Sequence, residues 1–479
     1  MKKILLLSLF VLSTFSSHAK KSPFIQIESN KVLSLFNFLE TATGAHATST
    51  SFKKYIDDNL KNSIEFRQIL KDYSHIKFNY QYRIEEIPFS RHSYREIKDL
   101  LWIASVNSKN IDDFSNRIIG YLPHKSHVKL IQLFNQTLPI YEKLVWKKQK
   151  KSIKRIKKQI NRYTPHIKQL FTQISQFYGT SWDKSIPFKI ALYPIPLQRG
   201  NTTAIPEGNT LIAGFLTKRE DDYKARIGVI IHEMCHILFS EQPISLQNKI
   251  DTWFNESPSD YSKLAYSYIN EGLATALGNG WAYKQINGEE DKSEWYNNKY
   301  INGFAHKLYP LVISYIKENK SIDKAFITNS IILFAQAFPD AINETAVLMN
   351  EIQLYANSTN EKDINFISST LRKHFQIRSQ WFSTPILSKE SMKSFNKQKT
   401  SKVFIIEMNN QESLDALADK FHTQLDFDTN KNFIYVFKDE NTKSMLVIIN
   451  IHSLAKLDET LKKLSSRDLL THGIQWLEQ

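Results

Sequence analysis

Two histidines and a glutamate stand close together in the stretch Ile227–Ser240, which reads IGVIIHEMCHILFS. His232 and His236 are four residues apart, and Glu233 follows the first histidine directly. Because residues four apart lie on one face of a helix, both imidazoles can reach one Zn²⁺ at about 2.0–2.1 Å. At about 100° per residue, Glu233 lies too far around the helix to ligate with them. It can reach a water molecule at that metal, so the pattern predicts a zinc site beside a proton acceptor.

The same stretch predicts a helix with a separate apolar side. Five apolar residues fall between about 160° and 260° from His232 on a helical wheel; they are Ile227, Ile230, Ile231, Met234 and Leu238. The alternative is a core helix with two hydrogen-bonded histidines, but such a helix needs no separate face carrying two imidazoles and a carboxylate. Cys235 is interpreted as a small buried hydrophobic residue beside the site.

A catalytic zinc needs three protein ligands and one open position, so a third ligand must come from elsewhere in the chain. Glu271 lies in YINEGLATAL, which predicts a second helix ending near Gly278 and Gly280. Glu256 lies in the loop-like segment NESP, and His306 lies in a later helical segment. On residue type alone, all three stay open as ligands.

The helix with HEMCH followed by a helix with NEGLA resembles the gluzincin group of zinc metallopeptidases over about residues 186–285. The resemblance implies that His232, His236 and Glu271 hold one zinc ion per chain, with Glu233 as general base. It also suggests a tyrosine or histidine that donates to the oxyanion. The candidates are His306, Tyr309 and Tyr268, and Thr275 is a candidate hydrogen-bond partner of the ligand Glu271.

The elements around this motif follow from alternation and turn residues. Residues 186–196 and 209–216 predict two strands joined by a polar loop with two glycines and a proline. Residues 209–216 lie where zincins place the edge strand over their cleft, although an ordinary sheet strand fits as well. With the helical segments that follow, residues 181–382 form the predicted zincin-like core.

The remaining segments predict an N-terminal signal, a helical region and a small C-terminal module. Residues 1–19 have a basic head, an apolar run and a small-residue cleavage site, as secretory signal peptides do. Residues 20–180 are mostly helical in pattern, and an apolar stripe from Trp146 to Phe177 predicts one long helix that is bent or broken near Pro165. Residues 383–400 are polar and predict a linker, and residues 401–479 predict a small α/β module of strands, helices and one hairpin.

The stretch 147–158 carries eight lysines and arginines, and no acid occurs from Lys143 to Trp182. Such a run is interpreted either as a solvated helix face or as a surface for an anionic partner.

Composition limits the remaining classes. The chain has 479 residues, a formal net charge of +15 and a single cysteine, which excludes an intramolecular disulfide framework and a cysteine-rich zinc ribbon. No apolar run approaches the ~20 residues of a membrane-spanning helix. With the predicted signal peptide, an anionic envelope surface or an acidic protein is a better partner than nucleic acid.

Together these patterns predict a mostly helical α+β fold and an exported, periplasmic or secreted zinc metallohydrolase. The expected substrate is a peptide or protein, cleaved by a zinc-activated water with Glu233 as general base. Two alternatives stay open: an inactive zincin-fold scaffold of the cell envelope, and a zinc amidase that acts on a cell-wall component.

Overall fold

The computed structural model describes residues 24–479, apart from 46–47, 89–90, 92, 220–222, 396–399, 408–409 and 426. The predicted signal peptide at 1–19 therefore lies outside the described residues. The α+β class with helices as the larger part is confirmed. Within the described ranges, no helix is long and apolar enough to cross a membrane.

The N-terminal part is a bundle of helices with one strand that joins the central sheet. Its helices are α1 (Lys31–Thr43), α2 (Thr50–Leu60), α3 (Ile64–Ser74), α4 (Ile97–Asn107), α5 (Ile111–Arg117), α6 (His124–Tyr141), α7 (Lys147–Asn161) and α8 (Thr164–Tyr178), with a π-helical turn over Glu142–Trp146. Its strands are β1 (Ile25–Glu28), β2 (Gln81–Arg83) and β3 (Tyr94–Glu96). The predicted break near Pro165 is confirmed, because this proline occupies the first turn of α8. The N–H groups of a first turn have no acceptor within the helix, so the missing N–H of proline removes no helical hydrogen bond there.

The central part carries the motif residues. Its elements are β4 (Phe188–Ile195), β5 (Ala204–Glu207), β6 (Thr210–Leu216), α9 (Tyr223–Ser240), α10 (Ile244–Asn255), α11 (Ser262–Thr275), a π-helical segment (Ala276–Ala282), α12 (Tyr283–Asn287), α13 (Lys299–Lys317) and α14 (Lys324–Ala337). The sheet has the order β1-β4-β6-β5, with β1, β4 and β6 parallel and β5 antiparallel. Both faces of β4 and β6 are covered, one by the N-terminal helices and the other by the motif helices. This is why both strands read as nearly continuous apolar runs.

Of the two alternatives for residues 209–216, the ordinary sheet strand is confirmed and the edge strand is wrong. Residues 209–216 form the interior strand β6, which pairs with β4 on one side and with β5 on the other. The edges of this sheet are β1 and β5, and β5 lies in the segment interpreted above as a polar loop containing Pro206. Proline removes a ladder hydrogen bond and is therefore confined to sheet edges and bulges.

The predicted boundary at residue 180 does not separate two packed units. Strand β1 pairs in register with β4, so that Ile25 lies opposite Phe188. The apolar residues of α8 belong to the same hydrophobic cluster as the back of α9. The N-terminal segment therefore completes both the sheet and the core under the motif helix.

The C-terminal part begins earlier than the predicted residue 401. Its elements are α15 (Thr345–Leu348), β7 (Glu351–Ala356), α16 (Glu361–His374), β8 (Ser379–Ser383), α17 (Lys389–Phe395), β9 (Ser401–Glu407), α18 (Gln411–Lys420), β10 (Phe433–Lys438), β11 (Met445–Ile451), a 3₁₀ turn (Leu454–Lys456), α19 (Leu457–Ser465) and β12 (Gly473–Leu477). One sheet of order β12-β10-β11-β9-β7-β8 includes two strands that precede 383–400. That segment contains α17 and is a crossover within the sheet. It connects β8 to β9, two parallel strands on either side of β7, and such a connection must cross over the sheet.

We expect the N-terminal segment to stay bound after the chain is cut behind α8. A site-specific protease sequence inserted between Lys184 and Ser185 would lie in an exposed turn, where insertions are tolerated. After cleavage, both fragments should co-elute in size-exclusion chromatography and separate only in denaturant, because separation would expose the shared apolar cluster. Release of a soluble C-terminal fragment under native conditions would instead identify residues 20–180 as a prosegment.

Candidate metal centre

Helix α9 presents the motif residues as the sequence predicts. The five residues of its predicted apolar face are all buried, with exposed fractions of 0–2%. His232 is also buried, while Glu233 and His236 are partly exposed. Cys235 is fully buried, as expected. The helix therefore packs its apolar side into the core and directs its chemical face toward α11.

Glu271 on α11 completes a group of three possible ligands. The Nε2 atoms of His232 and His236 lie 3.1 Å apart. The carboxylate oxygens of Glu271 lie 3.5 Å from His232 Nε2 and 3.6 Å from His236 Nε2. Bonds of about 2.0–2.2 Å in a tetrahedral zinc site require ligand separations of roughly 3.3–3.5 Å. In the part of the chain that the structure describes, this is the one group of three or more such residues with metal-site spacing.

Hydrogen bonding leaves the facing atoms available for a metal. His236 Nδ1 lies 3.1 Å from Asn270 Oδ1, and the amide oxygen can only accept. This acceptor fixes a proton on His236 Nδ1, so that loss of the second ring proton on metal binding would leave the lone pair on Nε2, which lies 3.6 Å from Glu271 Oε1. Glu271 Oε2 is buried and receives no hydrogen bond from any described residue. An ionised oxygen in that position is costly unless a cation or donor faces it, so the donor set fits a zinc ion.

The two carboxylates of the site have different electrostatic environments. Burial raises the pKa of Glu271, but the two histidines outweigh it and lower the pKa to about 2. Burial raises the pKa of Glu233 to about 7, with Glu271 adding to the effect and His236 opposing it. Glu271 is thus kept ionised, whereas the Glu233 pKa lies in the range suited to a general base at neutral pH.

Close contact between the two helices depends on glycine. A Cβ atom at Gly278 would lie 2.5 Å from His232 N and 2.7 Å from His232 Cα. The second helix does not end at Gly278 and Gly280, as the sequence analysis expected; it continues through the π-helical segment Ala276–Ala282 into α12. These glycines serve packing, and Gly278 lets the second helix touch the backbone of the first candidate ligand, His232.

The other candidate ligands and partners lie elsewhere. Glu256 is exposed at the end of α10. His306 stacks on Trp295, with ring centroids 3.9 Å apart, and the Tyr309 hydroxyl donates to Glu290 at 3.3 Å. Neither His306 nor Tyr309 belongs to the group of possible metal ligands.

Two further expectations concern residues of α11. Tyr268 packs between Tyr300 and Phe334. Thr275 Oγ1 is buried and forms no hydrogen bond with Glu271 or with any other described residue.

The aromatic residue beside the candidate ligands is Tyr296, which the sequence analysis missed. Its ring lies 5.9 Å from the His232 ring at 26°, and its hydroxyl is close enough to Glu271 and Glu233 for their charges to affect its pKa. Burial, followed by the charges of Glu271 and Glu233, raises its pKa, so the phenol stays protonated. Tyr296 lies in the polar loop between α12 and α13, which has no helical or strand pattern and gave no signal.

Comparisons with protein-family models, curated proteins and solved structures find no match to this chain. Its function is therefore inferred from the geometry of this site.

Zinc binding should depend on Glu271 and to a smaller degree on Asn270. We expect about one zinc per chain in the wild type. Asn270→Ala should weaken zinc binding by about 10–100-fold, because the orientation of His236 is lost. Glu271→Ala should weaken it further, since a ligand is removed. Competition with a chelator of known affinity measures both.

Glu256→Ala is the matched control and should bind zinc like the wild type, because Glu256 is exposed at the end of α10. Loss of zinc in the control together with retention in Glu271→Ala would show that a different carboxylate is the ligand.

Proposed function

We propose that this chain is a zinc-dependent peptidase of the gluzincin type. The observation that supports this is the convergence of His232, His236 and Glu271, whose facing atoms are separated by 3.1–3.6 Å, with Glu233 on the same helix. Two imidazoles and one carboxylate are the ligand set of hydrolytic zinc sites that keep a position open for solvent.

The chemistry is divided between the metal and the surrounding side chains. A zinc ion held by these residues supplies a Lewis acid that polarises the scissile carbonyl and makes water acidic near neutral pH. The Glu233 carboxylate takes the proton of the attacking water and delivers it to the leaving amine nitrogen. The Tyr296 hydroxyl donates a hydrogen bond to the carbonyl oxygen as that oxygen becomes negative. Burial of the ligands reduces competition from bulk water.

Glu233→Gln should keep the zinc and lose most of the hydrolysis. We expect the rate of peptide cleavage to fall by about 10²–10⁴-fold, because the amide cannot accept the proton. The measurement is cleavage of a quenched fluorescent peptide library by the zinc-loaded chain, together with its metal content. Glu241→Gln is the control, since Glu241 is exposed immediately after the last residue of α9.

Retained turnover in Glu233→Gln would contradict the mechanism. A zinc-loaded wild type that cleaves no peptide would indicate a scaffold protein, and cleavage of purified wall fragments alone would indicate an amidase.

We also propose that the basic face of α7 binds an anionic envelope surface after export by the predicted signal peptide. Ile153, Ile156 and Ile160 are buried under this helix. Exposed cations without an ion pair to any described residue cover the other sides; they are Lys148, Lys150, Lys151, Lys154, Arg155 and Lys158. Because like charges four residues apart destabilise a helix, this concentration of cations does not serve the stability of α7. A rigid cationic surface of this kind is complementary to an anionic bilayer.

Changing four cations of one helix face should abolish this binding. We expect the wild type to sediment with vesicles that contain phosphatidylglycerol but not with vesicles of phosphatidylcholine alone. A variant with glutamine at 151, 154, 155 and 158 should bind at least about 10²-fold more weakly, because each cation near such a surface contributes about 1 kcal/mol.

The control has glutamine at the exposed positions 54, 61, 462 and 463 and should bind like the wild type. Equal loss in both variants would mean that net charge alone is responsible. Binding to purified wall polymer without binding to vesicles would show that the anionic partner is the cell wall and not the bilayer.

A further inference from the structure

Trp295 occupies a closely fitting socket next to the metal centre. Only 6% of the residue is exposed. The His306 ring stacks on it at a centroid distance of 3.9 Å, and the Tyr309 ring meets it edge-on at 5.2 Å. The indole Nε1–H donates to the carbonyl oxygen of Asp291 at 3.0 Å. The side chain therefore joins helix α13 to the loop formed by residues 288–298.

The wall of the socket opposite α13 requires a glycine. A Cβ atom at Gly280 would lie 2.7 Å from the Trp295 ring and 3.0 Å from the Tyr309 ring. The π-helical segment that places Gly278 against His232 thus also receives Trp295 two residues later. One segment packs against both the first candidate ligand and the anchor of the loop.

The loop backbone is held from two sides at the same point. Asn279 Nδ2 donates to the Trp295 carbonyl oxygen at 2.8 Å. The backbone N–H groups of Trp295 and Tyr296 both donate to Asn302 Oδ1, at 2.9 and 3.3 Å. Because both neighbouring peptide groups are held, Tyr296 has little freedom to leave the position in which its ring stacks on His232.

We infer that residues 288–298 are a strap over the metal centre, that Trp295 anchors it, and that this anchor positions the Tyr296 hydroxyl for the reaction. His306 and Tyr309 then act as positioning residues through Trp295. A reaction that develops negative charge on oxygen gains most from a donor that is fixed beforehand. The inference rests on the proposed peptidase function for its catalytic part, whereas the docking of the strap can be tested without turnover.

Hydrogen exchange of the full chain tests the docking, with and without zinc. The amides of Trp295 and Tyr296 should be protected in the wild type because both are hydrogen-bonded. Trp295→Ala and Gly280→Ala should each speed exchange in a peptide covering 288–298 by at least about 10-fold, while residues 223–240 stay protected. Zinc content should not change. His306→Ala changes an exposed position and removes one wall of the socket. Its effect on exchange in residues 288–298 therefore tests the docking even if the other two variants fail to fold.

Trp182→Ala is the matched control. Trp182 also donates its Nε1–H to a backbone oxygen four residues away, that of Ile186 at 2.9 Å, and it packs on Phe171 and Phe188. Exchange of residues 288–298 should be unaffected by this change. Unchanged protection of residues 288–298 in both Trp295→Ala and His306→Ala would contradict the inference that Trp295 anchors these residues as a strap.

Kinetics test the catalytic part of the inference. Loss of one oxyanion donor costs about 10²–10³-fold in kcat, which is the effect expected for Tyr296→Phe with little change in KM. Trp295→Ala should lower kcat by a similar factor, and the double variant should be no slower than Tyr296→Phe.

A wild-type kcat in Trp295→Ala, or losses that multiply in the double variant, would overturn the positioning role and leave the peptidase proposal standing. Absence of hydrolysis in every zinc-loaded chain, wild type included, would reject the proposed function and with it the catalytic part of the inference.

Discussion

The candidate site depends on the direct contact between the π-helical segment after α11 and the backbone of α9 at His232. Because Gly278 has no side chain, the two helices approach to a distance at which any Cβ would clash with His232 N. That approach brings the Glu271 carboxylate to within 3.6 Å of both imidazoles. A side chain at this position would separate the helices, and the three candidate ligands would no longer face one another.

The burial that this contact produces also determines the electrostatics. Charged groups that are removed from water need compensating partners. The candidate site provides a different environment for each of its charged side chains. Asn270 orients His236, the two histidines keep Glu271 ionised, and burial raises the pKa of Glu233. Two carboxylates within one small site thus acquire different protonation behaviour, which suits the proposed roles of ligand and proton acceptor.

The surrounding parts of the chain support the two motif helices from opposite sides. From the N-terminal part, Arg91 donates to the carbonyl oxygen of Phe239 at 3.3 Å and so satisfies an acceptor in the last turn of α9. From the C-terminal part, Arg378 contacts Glu351 and donates to Ser267 Oγ at 3.0 Å, one helical turn before Glu271. Segments on both sides of the motif helices along the chain therefore contribute contacts to them.

The sequence by itself determined those features that follow from local periodicity. The spacing of His232 and His236, the apolar back of α9 and the break near Pro165 are properties of a single helix, and the structure has all three. The choice of Glu271 over Glu256 came from a motif, and the structure places Glu271 beside the histidines.

Only the tertiary structure decided which distant elements meet. The edge position of β5, the pairing of β7 with β9 and the strap at 288–298 depend on contacts between segments far apart in the chain. Tyr296 and Trp295 lie in a loop without periodicity, so their place beside the site could not be read from their neighbours. His306 and Tyr309 were correctly placed on one helix, but which rings they face is a matter of packing. Packing depends on shape across the whole core, and no local pattern of residues encodes it.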